Sequence, residues 1–390
     1  MRKKTIMVFL LGFMLLAISS LLPSPQPHQI NRTSVIAVPS QIEQPITIIG
    51  NIELSQRSSG GVGTRSDPYL ISGLTIISAG ISIDIQNTTA FFAIRNCNLE
   101  SRLVAEPVIL LSNVENGLIQ NCSLTGGSSG AYLLLSADCT IKESGFIDNS
   151  NGIQIDGSEN CTILDCKAYK NNFGIRIGNS NGSIVTNNSV YGNSNRGVSV
   201  ESFSMDTTIY QNKIGWNGLN AYNNGNNTEF TNGIDTGNAW SDYDGSGLYD
   251  IIGSIPSTDS FPTVLDDTVR PVIDSPVDRV FDIDSNGETL TWVASDDFAY
   301  SYTLYIDDIN QDTVSWDGRE ITISLDALPA GTHTLVLNVQ DAAGNVASDE
   351  VIATAVSFML GGIGTEMVMW SSALTVAILI LVVVIIKKMP

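Results

Sequence analysis

Charge is scarce in this chain of 390 residues: Asp, Glu, Lys and Arg together make up 15% of it, and aromatic residues 7%. With 43% hydrophobic residues, so thin a charged coat excludes disorder for most of its length. Basic residues are the scarcer sign, 19 Lys and Arg against 40 Asp and Glu. The resulting net charge of −21 excludes nucleic acid and anionic lipid surfaces as partners on Coulombic grounds. Two histidines cannot build a His-rich metal centre, and the five cysteines include no Cys-x-x-Cys pair. What is plentiful is Gly, at 34 residues, with Asn and Ser in excess. That composition predicts a turn-rich β protein of two or three domains.

Long apolar runs occur only near the ends. Arg2, Lys3 and Lys4 precede an apolar run from Ile6 to Leu22, then Pro23, Pro25 and Pro27, which predicts a signal peptide over 1–27. Met367 to Ile386 is uncharged, long enough to cross a bilayer, and followed by Lys387 and Lys388. The expectation is a single-pass plasma-membrane protein with a transmembrane helix over 367–386, a cytoplasmic tail over 387–390 and everything between the two runs outside. Removing the five flanking basic residues leaves 14 against 40 acidic ones, or −26 for the exterior part.

Self-comparison of residues 80 to 220 reveals a repeat of about 22 residues. Gly152-Ile-Gln-Ile-Asp-Gly-Ser-Glu-Asn-Cys-Thr-Ile-Leu-Asp-Cys166 is followed by Gly174-Ile-Arg-Ile-Gly-Asn-Ser-Asn-Gly-Ser-Ile-Val-Thr-Asn187. Three ladders track it: Ser112, Ser136, Ser158, Ser180 and Ser202; Ile94, Ile119, Ile141, Ile163, Ile184 and Ile209; and Cys97, Cys122, Ser144, Cys166, Asn187 and Asn212. Within each repeat, alternating apolar pairs such as Ile153 and Ile155 are separated by Asn, Gly and Ser. Alternation means strands, and strand pairs this small bury a core only by stacking coil on coil. The fold predicted is all-β: a right-handed parallel β-helix over 28–265, caps included. Ile109, Leu111, Leu133 and Leu135 are expected to face outward as a local apolar patch.

Residues 46 to 265 resemble the NosD-like family of parallel β-helix repeat proteins, including archaeal surface members. The resemblance rests on the opening Gly63-Thr-Arg-Ser-Asp-Pro-Tyr-Leu-Ile71, a first coil at Phe92-Ala-Ile-Arg-Asn-Cys97, the closing Asn238-Ala-Trp-Ser-Asp-Tyr-Asp-Gly245, and Asp259-Ser-Phe-Pro262. It implies that the two flanks cap the open ends of the solenoid, and it raises copper-site maturation as a role.

Beyond Asp266 the composition changes to Val, Thr, Trp and Tyr. Seven strand candidates, Val280–Ile283, Thr289–Ala294, Tyr300–Ile306, Thr313–Trp316, Glu320–Leu325, His333–Gln340 and Val351–Val356, predict a β-sandwich over 266–358. Leu328-Pro-Ala-Gly-Thr-His-Thr-Leu335 and Val339-Gln-Asp-Ala-Ala-Gly-Asn345 resemble the last hairpin of prokaryotic immunoglobulin-like domains. Residues 359–366 would link this domain to the membrane helix.

Asp156, Arg176 and Glu201 are predicted on adjacent coils of one sheet, and Asp165 with Lys167 beside Cys166. These five are the catalytic candidates if the chain is an enzyme. Asp242, Asp244, Ser246 and Asp250 have the spacing of the front of a calcium loop, without its closing Glu. The cysteines are expected as core packing. Copper lacks ligands, because His28, His333, Met205 and Met359 are the only softer donors besides thiols between the two apolar runs. The function expected is non-enzymatic binding of glycans or neighbouring surface proteins; the alternative is a polysaccharide lyase or glycoside hydrolase, and copper-site maturation follows behind. No cofactor beyond Ca2+ is expected.

Overall fold

The computed structural model describes residues 43–357. The expected signal and membrane segments lie outside them, and among the described residues no helix is long and apolar enough to cross a membrane. The N-terminal part is a β-solenoid of about nine turns. Three parallel sheets form its walls. The first has eight strands, from Ile46–Ile49 to Leu219–Asn223, the second seven, from Tyr69–Ser72 to Thr208–Tyr210, and the third nine, from Thr75–Ser78 to Thr263–Val264.

The period of two places one face of every strand in the core, and stacking puts like on like. In the first sheet Ile109, Ala131, Ile153, Ile175 and Val198 lie in one column. In the second, Ile119, Ile141, Ile163, Val185 and Ile209 do the same. All are buried, and each fully buried aliphatic side chain contributes about 1.5–3 kcal/mol.

Three readings of register need correction. Ile109, Leu111 and Leu133 are core residues; the outward apolar side chains are their neighbours Leu110 and Leu134, with Leu135 exposed at a corner where φ is +51°. The second-sheet column runs through Val185 rather than Ile184, and the corner ladder through Asn188 rather than Asn187. The serine ladder starts below Ser136, whose hydroxyl oxygen accepts from the Val114 amide, and ends on Ser204 instead of Ser202.

These ladders solve the problem of turns inside a stack, where backbone N–H groups cannot reach water. The Ser136, Ser158 and Ser180 amides each donate to the serine one coil on. At the next corner the amides of Cys122, Cys166, Asn188 and Asn212 donate to Ser144, Asn188, Asn212 and Asn238. A third ladder, absent from the expectations, runs from Gly127 through Asn149, Asn171 and Asn193 to Asn217. Asn149 and Asn171 also send Nδ2 to main-chain carbonyls on their own coil and the one before, as Asn171 does to Tyr169 and Phe146 at 3.0 Å, and Asn193 reaches Ala168 O on the coil before.

A helix at Gly50–Arg57 follows the first strand, with Leu54 fully buried in the solenoid core. Asn51 accepts from the amides of Thr89 and Ala90 on the next coil. At the far end, Phe230 and Trp240 close the core, and the antiparallel pair Tyr249–Ile251 and Ser257–Asp259 follows.

Seven of the C-terminal strands stand close to the predicted positions, with Val272–Asp274 added. They form a three-stranded sheet and a five-stranded one around a common core of Trp292, Trp316, Leu335, Leu337 and Val351. Most pairings are antiparallel, but Arg279–Asp282 runs parallel to Val346–Val356. Arg279–Asp282 and Thr289–Ser295, joined through Asn286-Gly287, belong to different sheets. Tyr169 and Tyr191 of the solenoid pack with Leu265 and Phe298, and their hydroxyls donate to Trp316 O and Ala299 O, both at 3.2 Å.

Candidate functional site

Alternation leaves a second row of side chains on the outer face of the first sheet. Along the stack these are Leu110, Tyr132, Gln154, Arg176, Ser199 and Tyr222. Below Leu110 the row continues through Asp84 and Thr47, and the denser charged cluster lies on the upper coils.

The structure brings Arg176 and Glu201 together at 3.3 Å, as their adjacent coils require. Arg196, at the start of its strand, reaches the same Glu201 oxygen at 3.4 Å, and the Ser199 hydroxyl donates to it at 3.0 Å. Both guanidinium groups lie over aromatic rings. Arg196 sits 3.6 Å from the Tyr222 ring centre and 5.8 Å from that of Phe173, and Arg176 lies 5.5 Å from Phe173. Asp156 stands one coil below, its carboxylate 3.5 Å from the Tyr132 hydroxyl. Burial, then the Asp156 charge, raises the Tyr132 pKa, with Arg176 opposing. Sequence reasoning named Asp156, Arg176 and Glu201 but missed Arg196, Phe173 and Tyr222. Phe173 and Arg196 open their strands, where the apolar alternation gives no signal.

Asp165 and Lys167 are drawn to different neighbours. Asp165 accepts from Asn187 and lines an open groove of about 670 Å³ with Tyr210, Lys213, Asp235 and Phe261. Lys167 donates to the main-chain oxygen of Asp297 at 3.2 Å, across the junction with the C-terminal sheets. Asp242 accepts from Asn220 Nδ2 at 2.7 Å and from the Tyr249 hydroxyl at 2.9 Å. Asp244 holds its own turn through the Ser246 amide and hydroxyl, and Asp250 is exposed on the terminal pair of strands. The carboxylates of Asp242, Asp244 and Asp250 do not converge as a group.

The family described as "Periplasmic copper-binding protein (NosD)" matches residues 41–245. The chain belongs to the NosD family. No curated protein matches it. Similar solved structures include an alginate lyase from Paenibacillus sp. str. FPU-7, at 13% identity over 50% of this chain and 76% of that one, with a TM-score of 0.39. Another is the A-module of the Azotobacter vinelandii mannuronan C-5 epimerase AlgE6, at 16% identity over 44% and 65%, with a TM-score of 0.32. The enzymatically active domain of bacteriophage CBA120 tailspike protein 2 matches at 12% identity over 73% and 56%, with a TM-score of 0.26. Scores this low say nothing of chemistry.

The described residues of this NosD member do not fit the copper in the family's description. All five cysteines are free and buried, and each Sγ–H donates to the carbonyl two residues back, as Cys139 does to Ala137 at 3.3 Å. Burial pushes the Cys166 thiol up to about 12, whereas a copper ligand must be a thiolate. His333 is committed to Asp307 Oδ2 at 2.7 Å and Pro329 O at 3.0 Å in the C-terminal sheets.

Proposed function

We propose that this NosD-family chain is a membrane-anchored surface protein that binds a glycan along the outer face of its first sheet. In this reading residues 266–358 are an immunoglobulin-like stalk and 367–386 the anchor. The observation that carries it is the Arg176, Arg196, Phe173, Tyr222 and Glu201 cluster. Partly buried aromatic faces supply apolar platforms, and fixed guanidinium and carboxylate groups supply directional hydrogen bonds, the combination that a sugar ring with one apolar and one hydroxylated surface requires. Gln154 continues the polar row beside Arg176 at an inter-strand spacing of about 4.8 Å, which suits an extended chain, while Ser199 lies buried and holds Glu201 in place.

The Tyr132 and Asp156 contact favours a second reading, a lyase with Tyr132 as proton-transfer group. Chemistry weighs against it: a base acting near neutrality needs a lowered pKa, and that of Tyr132 is raised. Glu201 is likewise engaged by Arg176, Arg196 and the Ser199 hydroxyl.

The test is a glycan array read together with a polysaccharide-degradation screen, using the full chain in detergent. Binding without product formation is expected, weakened about tenfold by Arg196→Ala or Tyr222→Ala. Retention of full binding in both variants, with the fold intact, would place the glycan elsewhere. Accumulation of unsaturated or newly reducing ends would establish the enzyme instead.

A further inference from the structure

Seven Asn-x-Ser/Thr triplets, the acceptor sequence for N-linked sugar, begin at Asn31, Asn87, Asn121, Asn160, Asn181, Asn187 and Asn226. In a chain so rich in Asn and Ser such triplets also arise by chance, and position in the fold separates them. Asn31 lies outside the described residues. The other six are all exposed, and all stand on the two corners that border the second sheet. By contrast, the buried ladder residues Asn149, Asn171, Asn188, Asn193, Asn212 and Asn238 each lack Ser or Thr two places on.

Four of the six have a structural reason to be Asn. Asn87, Asn121, Asn160 and Asn187 hold a φ between +51° and +55°, where Asn is favoured over most side chains. Asn181 and Asn226 do not. They belong to a column on the corner between the first and second sheets, which pairs coil to coil as Glu115, Ala137, Glu159, Asn181, Met205 and Asn226. A position that takes Glu, Ala and Met with the same backbone pairing makes no demand for Asn. The Asn181 and Asn226 amides donate to Ser158 O and Ser204 O, and among the described residues their side chains make no hydrogen bond.

The other end of the triplet supplies an independent observation. Two residues on, the same column reads Gly117, Cys139, Cys161, Ser183, Thr207 and Thr228. Cys139 and Cys161 pack there as part of the hydrophobic core. The hydroxyls of Ser183, Thr207 and Thr228 are sealed from water without a hydrogen-bond partner. A sealed, unpaired hydroxyl costs stability that an apolar side chain of similar size would not. Thr207 carries that cost behind Met205, so the hydroxyl alone identifies nothing. At Ser183 and Thr228, however, a hydroxyl that folding does not use completes a triplet whose Asn the fold does not need.

We infer that Asn181 and Asn226 carry N-linked oligosaccharides, an inference that rests on the exterior location proposed above. In the transfer, Asn Nδ2 bonds to the anomeric carbon of an oligosaccharide carried on a lipid diphosphate. The bond from that carbon to the phosphate oxygen breaks, the lipid diphosphate leaves with the electron pair, and the amide proton passes to a base of the transferase. The hydroxyl two residues on is the part of the acceptor that the transferase must reach. Ser183 is 0% exposed in the folded chain, so transfer precedes the closing of that coil. Once folded, the two sugars flank Met205, whose apolar side chain is otherwise exposed. Their edge borders the first and second sheets and not the third, where Tyr169 and Tyr191 meet the C-terminal sheets.

The experiment labels intact native cells with a membrane-impermeant amine reagent, purifies the full chain from their membranes in detergent, and reads glycopeptide masses at both positions. Asn181 and Asn226 should each carry sugar. In the same cells, Ser183→Ala and Thr228→Val should each remove one oligosaccharide, while Thr228→Ser should keep it. Asn181→Gln and Asn226→Gln lack the same sugars and serve as references for stability. Against them, the melting midpoints of Ser183→Ala and Thr228→Val should be level or higher. Bare asparagines in a chain that the reagent labels would overturn the sites, as would sugar persisting in Ser183→Ala and Thr228→Val. A midpoint clearly below the matching Gln variant would overturn the inference too, by giving the hydroxyl a structural role. A chain that the reagent fails to label would overturn the exterior location instead.

Discussion

The backbone N–H of Asn238 donates to Oδ2 of Asp259 at 2.7 Å, and with that bond the column of corner amides ends. Every Asn in the column both accepts from the coil before it and presents its own N–H and Nδ2 to the next. A terminal residue must therefore accept without donating. The Asp259 carboxylate oxygens do so, taking the Asn238 amide, the Trp240 indole at 2.9 Å and, on Oδ1, the Phe261 amide at 3.0 Å, with no exposed surface of their own.

Asp259→Asn should accordingly be costly despite its matching shape. Whichever way the amide faces, Nδ2 meets a donor, and one buried pair is left unsatisfied. We expect a loss of about 2–3 kcal/mol. Denaturant unfolding should show it, with Asp250→Asn, an exposed neutralisation on the same end of the solenoid, as the near-silent reference. Equal effects of the two would mean that the carboxylate does not terminate the column.

In the middle of the other ladder, Asn171→Ala should destabilise by about 3 kcal/mol or more. Asn171 accepts from the Asn149 amide at 2.9 Å and donates to the carbonyls of Phe146 and Tyr169, so truncation strands several main-chain groups where water cannot follow. Hydrogen exchange should locate the damage in coils 149–193. A change confined to the chain ends would contradict it.

The C-terminal sheets should lose stability as pH rises past neutrality. His333 donates from both ring nitrogens, to Asp307 and to Pro329 O, and chiefly the Asp307 bond raises its pKa above 6.5, while that bond lowers the Asp307 pKa below 3.8. A raised folded pKa gives a contribution that is complete below pH 6.5 and disappears as pH climbs through the folded value. The Asp307 share persists until strong acid. Melting curves from pH 5.5 to 8.5 should slope downward, and His333→Asn should flatten them; an unchanged slope in the variant would assign the effect to another group.

The β-helix was legible because the step from Ile141 to Ile163, or from Ser136 to Ser158, is constant and short. Alignment failed where the coils lengthen: the Asn188 amide reaches Asn212 after 24 residues and the Asn212 amide Asn238 after 26. A fixed step of 22 from Ser180 therefore lands on Ser202, two residues short of Ser204; Ile184 and Asn187 are instead immediate neighbours of the true members Val185 and Asn188, apolar and polar enough to pass for them. The Asn149 to Asn217 ladder was hidden by abundance, since Asn also fills the exposed corners. For the candidate face, alternation alone supplied Asp156, Arg176 and Glu201, but strand starts such as Phe173 and Arg196 lie where alternation has not begun.

The helix at Gly50–Arg57 and the antiparallel pair at Tyr249–Ile251 and Ser257–Asp259 have a consequence beyond stability. A parallel stack is self-templating, because the last strand of each wall offers the hydrogen-bonding pattern that another coil, or another molecule, would continue. With Leu54 plugging one mouth and Trp240 beside Tyr249 closing the other, neither end of the described solenoid leaves its core open to a second copy. Copies crowded side by side can thus stay separate, and a fold built on repetition is kept from growing into a fibril.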